Sequence, residues 1–183
     1  MKNKQIQFKK HVKQKNVVGI RRGKIDPNPI FGVLFDVNSH LLLLQCLEEF
    51  HFNGYHILRT NDVSQLIFRN YERFLKKILA KEKIFPSVNM RYKVNIADWE
   101  AAFRSLKNCQ INIIVERERK KVNSFYIGTI EKVEEKSVYM RHFDAMGRWN
   151  KKPKIIPCRE ITKVIFNDEY INIFSKHTIN RSA

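Results

Sequence analysis

A chain of 183 residues with 35 Lys and Arg against 18 Asp and Glu carries a formal charge of +17. That length fits one large domain or two small ones, and 43% hydrophobic residues suffice for a packed core. The longest apolar run, Leu41 to Leu44, is far too short to span a bilayer, and no apolar run near the N-terminus suits a secretory leader, so neither a membrane span nor a leader is expected.

Charge placement says more than charge size. Residues 1–24 hold nine basic residues and no acid. Residues 25–68 hold one Arg against five acids, 69–93 eight basic against two acidic, and 94–183 seventeen against eleven. Such clustering suits a polyanion, because Lys and Arg displace counterions from phosphate without reading sequence. It equally suits a lysine-rich composition that serves solubility.

In chain order, residues 1–15 offer only Ile6, Phe8 and Val12 as apolar side chains, and are expected to be a flexible basic arm. Asn16 to Lys24 reads as a first strand around Val17, Val18 and Ile20. The cluster Asp26-Pro27-Asn28-Pro29 reads as a turn. Ile30 to Asn38 reads as strand two, with Gly32 inside it, and His40 to Cys46 as strand three, apolar on both faces. Leu47 to Asn53 is expected as a loop, Tyr55 to Arg59 as strand four and Ser64 to Arg69 as strand five. From Tyr71 the apolar period lengthens to that of a helix through Phe74, Leu75, Ile78 and Leu79.

After a linker at 85–95, Asn95 is expected to cap a helix carrying Trp99, Ala102, Phe103 and Leu106 on one face. Strands then follow at Gln110 to Glu118, around Gly128, at Ser137 to Phe143, at Lys154 to Arg159 and at Lys163 to Asn167. Asp144 to Pro153 reads as a basic loop.

The two halves correspond. Gly32 matches Gly128, Val37 matches Val133, and Asp62-Val63 matches Glu160-Ile161. Leu66-Ile67-Phe68 matches Val164-Ile165-Phe166, and Tyr71 and Phe74 match Tyr170 and Phe174. An internal duplication explains this order of glycine, turn and aromatics. The alternative is that two unrelated β segments share Val, Ile and Phe. The expected fold is mainly β with helices (α+β): tandem duplicated five-stranded SH3/Sm-like small barrels joined by a helical linker. The domain plan is a 1–15 arm, a 16–84 barrel with its C-terminal helix, an 85–95 linker, a 96–175 helix plus barrel, and a 176–183 tail.

Phe125-Tyr126-Ile127-Gly128, Phe143-Asp144, Gly147 to Trp149 and Ile161 to Phe166 carry a resemblance to an uncharacterised bacterial family with two small barrel halves. Phe50 to Tyr55, leading to Asp62-Val63, is similar in the first half. The resemblance covers about residues 16 to 175, implies the two-barrel fold and implies no activity. The chain also resembles Sm-like RNA binders in strand order and in the glycine of strand two. It lacks their base pocket, since the third strands read HLLLLQC and SVYMRHF and no Arg-Gly follows Ile156.

Cys46, Cys109 and Cys158 lie far apart with no CxxC pair, which excludes a zinc-ribbon spacing and fits reduced thiols in a cytoplasm. No metal or other cofactor is expected. The six histidines are scattered, and nothing resembles a nucleophile elbow, a P-loop or a dinucleotide fingerprint, so no enzyme is expected.

The strongest binding candidate is Arg148-Trp149-Asn150-Lys151-Lys152-Pro153-Lys154. An indole beside four cations can stack a base while the cations hold phosphate. Alternatively Trp149 folds back as a loop anchor. Lys9, Lys10, Lys13, Lys15, Arg21 and Arg22 form a second candidate, a phosphate-tracking arm. The expected function is non-catalytic association with nucleic acid, RNA before DNA. The rival is a protein–protein interaction module of the same barrel type.

Overall fold

A computed structural model describes residues 2–179 and divides the chain into two compact units, Met1–Tyr92 and Lys93–Ala183. Among the described residues no helix is long and apolar enough to cross a membrane.

The first fifteen residues depart from the expectation of a loose arm. Lys2–Lys13 form helix α1. Phe8 is fully buried, and Val12, one turn on, packs with it against Val18, Ile20, Leu34, Leu42 and Leu44. Phe8, His11 and Val12 fall at i, i+3 and i+4, which is enough of a stripe for a helix held by docking rather than by propensity. The helix ends where Lys15 takes left-handed backbone (φ 46°) and the Asn16 N–H reaches the His11 carbonyl.

The strands of this unit are β1 (Val17–Arg22), β2 (Asp26–Val37), β3 (Leu41–Glu48), β4 (His51–Arg59) and β5 (Gln65–Ile67), followed by helix α2 (Asn70–Lys81). All pair antiparallel in the order β5-β1-β2-β3-β4. Two loops were misplaced by sequence. Asp26 to Pro29 is extended and opens β2, with Arg22 opposite Asp26. The expected loop from Leu47 to Asn53 is a tight hairpin, because Glu49 turns the chain at φ 53° and His51 pairs with Glu48. Helix α2 starts with the Glu72 carboxylate accepting the Arg69 N–H (2.5 Å). It buries Leu75 and Leu79 on Val17, Val33 and Leu47. The sheet therefore has α1 packed on one face, over Leu42 and Leu44, and α2 on the other, over Val17, Val33 and Leu47, and Leu41 to Leu44 are all buried.

Helix α1 is tied down by a polar knot. Lys76 of α2 donates to the Gln14 carbonyl (2.8 Å) and to Asn16 Oδ1 (3.0 Å). That orients the Asn16 amide nitrogen toward His11 Nδ1, 3.1 Å away, so Nδ1 accepts and Nε2 carries the imidazole hydrogen. Burial, and then the Lys10 charge, hold His11 below its ordinary value of 6.5. The unfolded chain takes up this proton more readily, so stability is complete above about pH 6.5 and declines as the pH falls below it. We expect the melting temperature to drop from about pH 6.5 to about pH 5, and His11→Gln to flatten that slope. An undiminished slope in His11→Gln would show that this contact is not what titrates.

The second unit opens with helix α3 (Trp99–Asn108), whose cap is Asp98 rather than Asn95: Asp98 Oδ1 accepts the Ala101 N–H at 2.8 Å. Trp99, Ala102, Phe103 and Leu106 are buried, the face that the spacing predicts. Strands β6 (Ile113–Arg119), β7 (Val122–Glu134), β8 (Ser137–Phe143), β9 (Lys154–Pro157) and β10 (Lys163–Phe166) pair antiparallel in the order β10-β6-β7-β8-β9. Helix α4 (Glu169–Phe174) follows. Helix α3 packs on β7 and β8, while α4 lies on Ile114, Ile127, Phe143 and Ile165.

The tandem closed barrels joined by a helical linker are not what forms. Instead the five strands of each unit make an open antiparallel sheet, accompanied by α1 and α2 in the first unit and by α3 and α4 in the second. Within each unit the last strand pairs with the first, β5 on β1 and β10 on β6, and among the described residues no ladder joins β5 to β4 or β10 to β9. Closure needs continuous pairing round the seam with matched tilt and stagger. Strands of three and four residues cannot supply it. In the first unit, helices on both faces also remove the need for the sheet to curl around its own core. The stretch 82–98 holds one 3-10 turn, Phe85–Ser87, and no α-helix, since α2 and α3 belong to their own units.

Register matches between the units residue by residue. Gly32 faces Val18 and Cys46, as Gly128 faces Ile113 and His142. Each ladder then slips two residues later, between Leu34 and Asp36 and between Ile130 and Lys132. A 3-10 turn, Thr60–Asp62 or Cys158–Glu160, precedes the last strand in both. The next hydroxyl, Ser64 or Thr162, donates to the carbonyl of Arg21 or Glu116 respectively. Gly32 and Gly128, Val37 and Val133, and Leu66-Ile67 and Val164-Ile165 thus occupy equivalent ladder positions.

Candidate nucleic-acid interface

The loop 144–153 is built on Asp144. Its Oδ1 accepts the N–H groups of Met146 (2.9 Å) and Arg148 (3.0 Å), and its Oδ2 takes the Arg148 guanidinium at 3.0 Å. The Arg148 N–H foremost holds this carboxyl below the usual carboxylate range. Arg148 is therefore engaged in shaping the turn. Trp149 is half-buried, edge-on to Phe143 at 5.0 Å between ring centres, with the Arg141 guanidinium 5.5 Å from its own. It anchors the loop.

Lys154 goes elsewhere. His142 and Phe143 are successive residues of β8 and so lie on opposite faces. Trp149 sits against Phe143, whereas Tyr126 sits against His142 at 5.2 Å. Lys154 Nζ and the Arg117 guanidinium each lie 5.7 Å from the Tyr126 ring centre. The sequence cluster is thus divided between two faces, with exposed Lys151 and Lys152 on the chain between them. Arg117 is spoken for, with Glu160 at 2.6 Å and Ser124 Oγ at 2.7 Å. Burial keeps His142 below its ordinary pKa, so Lys154 carries the net charge of this cluster.

The Trp149 face holds a longer feature. Phe125 meets Tyr170 edge-on at 6.5 Å, Tyr170 stacks on Phe174 at 5.5 Å and 8°, and Phe174 lies 5.4 Å from Phe143. With Trp149 and Arg141 this makes a row of five rings ending in a cation. Helix α4 positions it. Asp168 caps the helix by accepting the Ile171 N–H (2.7 Å), and buried Ile171 fastens it to the sheet. Tyr170 and Phe174, one turn apart, then stack. Phe125 is 50% exposed and Tyr170 53%. Nearby on this face Lys163 lies between two carboxylates, Glu116 (2.9 Å) and Glu118 (3.2 Å), so its charge is engaged within the protein.

In the first unit Lys9, Lys10 and Lys13 are exposed on α1, and Lys15 is exposed just beyond it. Arg21 is exposed and donates to Gln65 Oε1 at 3.4 Å. Arg22 is a correction: it is only 1% exposed and cannot reach a phosphate. It follows Val18 and Ile20 at the strand period of two, so the alternation turns it inward.

Sequence reasoning missed Tyr126, Phe125, Arg141 and α4. The signal for the row was present in Tyr170 and Phe174 at helical spacing, once β7 parity sets Phe125 on the face opposite Tyr126. No family model matches the chain, and no curated protein or solved structure matches it.

Proposed function

We propose that the protein is a non-catalytic nucleic-acid-associated protein of the cytoplasm that takes single-stranded RNA before duplex DNA. The observation that carries this is the ring row Phe125–Tyr170–Phe174–Phe143–Trp149 ending at Arg141. Phe125 and Tyr170 are the exposed rings of the row; such rings accept unstacked bases of any sequence, and a guanidinium near the row takes phosphate or stacks in turn. The +17 charge supplies the sequence-independent attraction. Among the described residues the helix on this face, α4, has six residues and carries Glu169 in its first turn, without the length and cations of a major-groove reader. We also infer that the two units arose by internal duplication, which the shared ladder register supports. A protein-binding module remains the rival because Ile155 is exposed on β9, which ends its ladder. Pro153 precedes that four-residue strand and Pro157 is its last residue, and the two blunt it as an edge.

Two substitutions separate stacking from anchoring. Tyr170→Ala removes an exposed ring, so RNA affinity should fall by about 1–3 kcal/mol while stability changes by less than ~1 kcal/mol. Trp149→Ala removes a half-buried anchor, so it should lower stability by about 2–3 kcal/mol in a denaturant melt. RNA affinity unchanged in Tyr170→Ala would remove the stacking reading and leave the protein-binding one.

A further inference from the structure

We propose that the cleft between α1, the end of β5 and the first turn of α2 is a binding site for a phosphomonoester, independent of the ring row of the other unit. The cleft has a volume of about 410 Å³ and is lined by Lys10, Arg73, His11, Gln7 and Gln14, over a floor of Leu66 and Phe68. None of these residues is acidic. Two cations from different helices therefore face one concavity with no carboxylate lining it to neutralise them.

The groups are held in order. Phe68 carries the His11 ring on one side at 4.6 Å and the Arg73 guanidinium at 5.1 Å from its centre. Arg73 also donates to Asn70 Oδ1 at 3.3 Å, which fixes its side chain at the rim and leaves further N–H donors of the fork. His11 is neutral with its hydrogen on Nε2, because Nδ1 accepts from Asn16. A guanidinium, an ammonium, an imidazole N–H and amide donors match the several acceptor oxygens of a phosphate dianion. The surroundings favour an anion too. Helix α1 has no acid, and its lysines Lys9 and Lys13 stand one turn apart, so bound negative charge relieves repulsion that the helix does not relieve itself. The ligand is a phosphate ester of small size or a chain end, since 410 Å³ admits about one nucleotide.

The test is a calorimetric titration of the full chain with inorganic phosphate, a nucleoside 5′-monophosphate and the unphosphorylated nucleoside. We expect phosphate and the monophosphate to bind and the nucleoside not to. Tighter binding of the monophosphate than of phosphate supports the ester ligand, and equal binding overturns it in favour of phosphate itself. Arg73→Ala and Lys10→Ala should each weaken binding about tenfold, the worth of a charge-assisted hydrogen bond. Lys13→Ala, an exposed α1 cation outside the cleft, should weaken it less than about twofold. Binding of neither phosphate nor monophosphate overturns the proposal, as does an equal loss in Lys13→Ala and Arg73→Ala. Tyr170→Ala should leave phosphate binding unchanged, so failure here and failure of the RNA reading are told apart.

Discussion

Gly128→Ala should destabilise the second unit by about 3 kcal/mol or more, at the upper end of overpacking costs. A Cβ built at this position would stand 2.1 Å from the Arg141 carbonyl oxygen and 2.7 Å from the His142 Cα. Both are backbone atoms of the neighbouring strand, so no side chain can swing aside. Relief would require β7 and β8 to part here, two residues before the slip between Ile130 and Lys132. Both tryptophans of the chain, Trp99 and Trp149, lie in this unit, so a urea melt followed by indole fluorescence reads its stability directly. Gly32→Ala meets the equivalent barrier, the Gln45 carbonyl oxygen at 2.2 Å. Gly23→Ala meets only Ser64 Oγ at 3.5 Å and should change stability by less than about 1 kcal/mol. A Gly128→Ala protein as stable as its parent would mean that the strands do not approach in this register.

The second large effect is expected at Phe8. Its side chain is fully buried among Val18, Ile20, Leu34 and Leu42, and Phe8→Ala should cost about 3–5 kcal/mol. Removal of residues 1–15 should cost at least as much, since it also strips Val12 and the His11–Asn16–Lys76 knot. This reverses what a basic arm with three apolar residues implies. Ile6→Ala is the control, because Ile6 is 65% exposed and should shift the melt by less than about 0.5 kcal/mol. A melting temperature for the deletion within a degree or two of the parent would show that α1 does not dock.

These two sites also mark what could be read in the chain and what could not. The strands around Gly32 and Gly128, the buried face of α3 and the match between the halves were legible, because period-two and period-3.6 patterns depend on local neighbours. Helix α1 was not. Its propensity is ordinary and its stripe short, and its stability comes from a surface assembled from β1, β2 and β3. Barrel closure failed for a related reason: strand order can be argued from hairpins, but the seam depends on non-local pairing that Gln65–Ile67 is too short to make. At the candidate interface, composition drew attention to Arg148, Trp149 and the lysines. It could not show that Asp144 claims Arg148, that Phe143 seats Trp149, or that Lys154 crosses to Tyr126. Arg22 was misread although the Val18–Ile20–Arg22 alternation was in view, because charge was given more weight than parity.

The most direct test of the proposed function is the salt dependence of RNA binding. Anisotropy of a labelled single-stranded RNA should be titrated with the intact chain at about 50 and about 200 mM monovalent salt, with Tyr170→Ala alongside. If exposed cations hold phosphates while the ring row stacks bases, the dissociation constant should rise about a hundredfold or more between these conditions. The parent should exceed Tyr170→Ala by about 1–3 kcal/mol at both salts, because stacking is not screened. No binding at low salt, or an affinity that hardly responds to salt, would contradict the nucleic-acid reading.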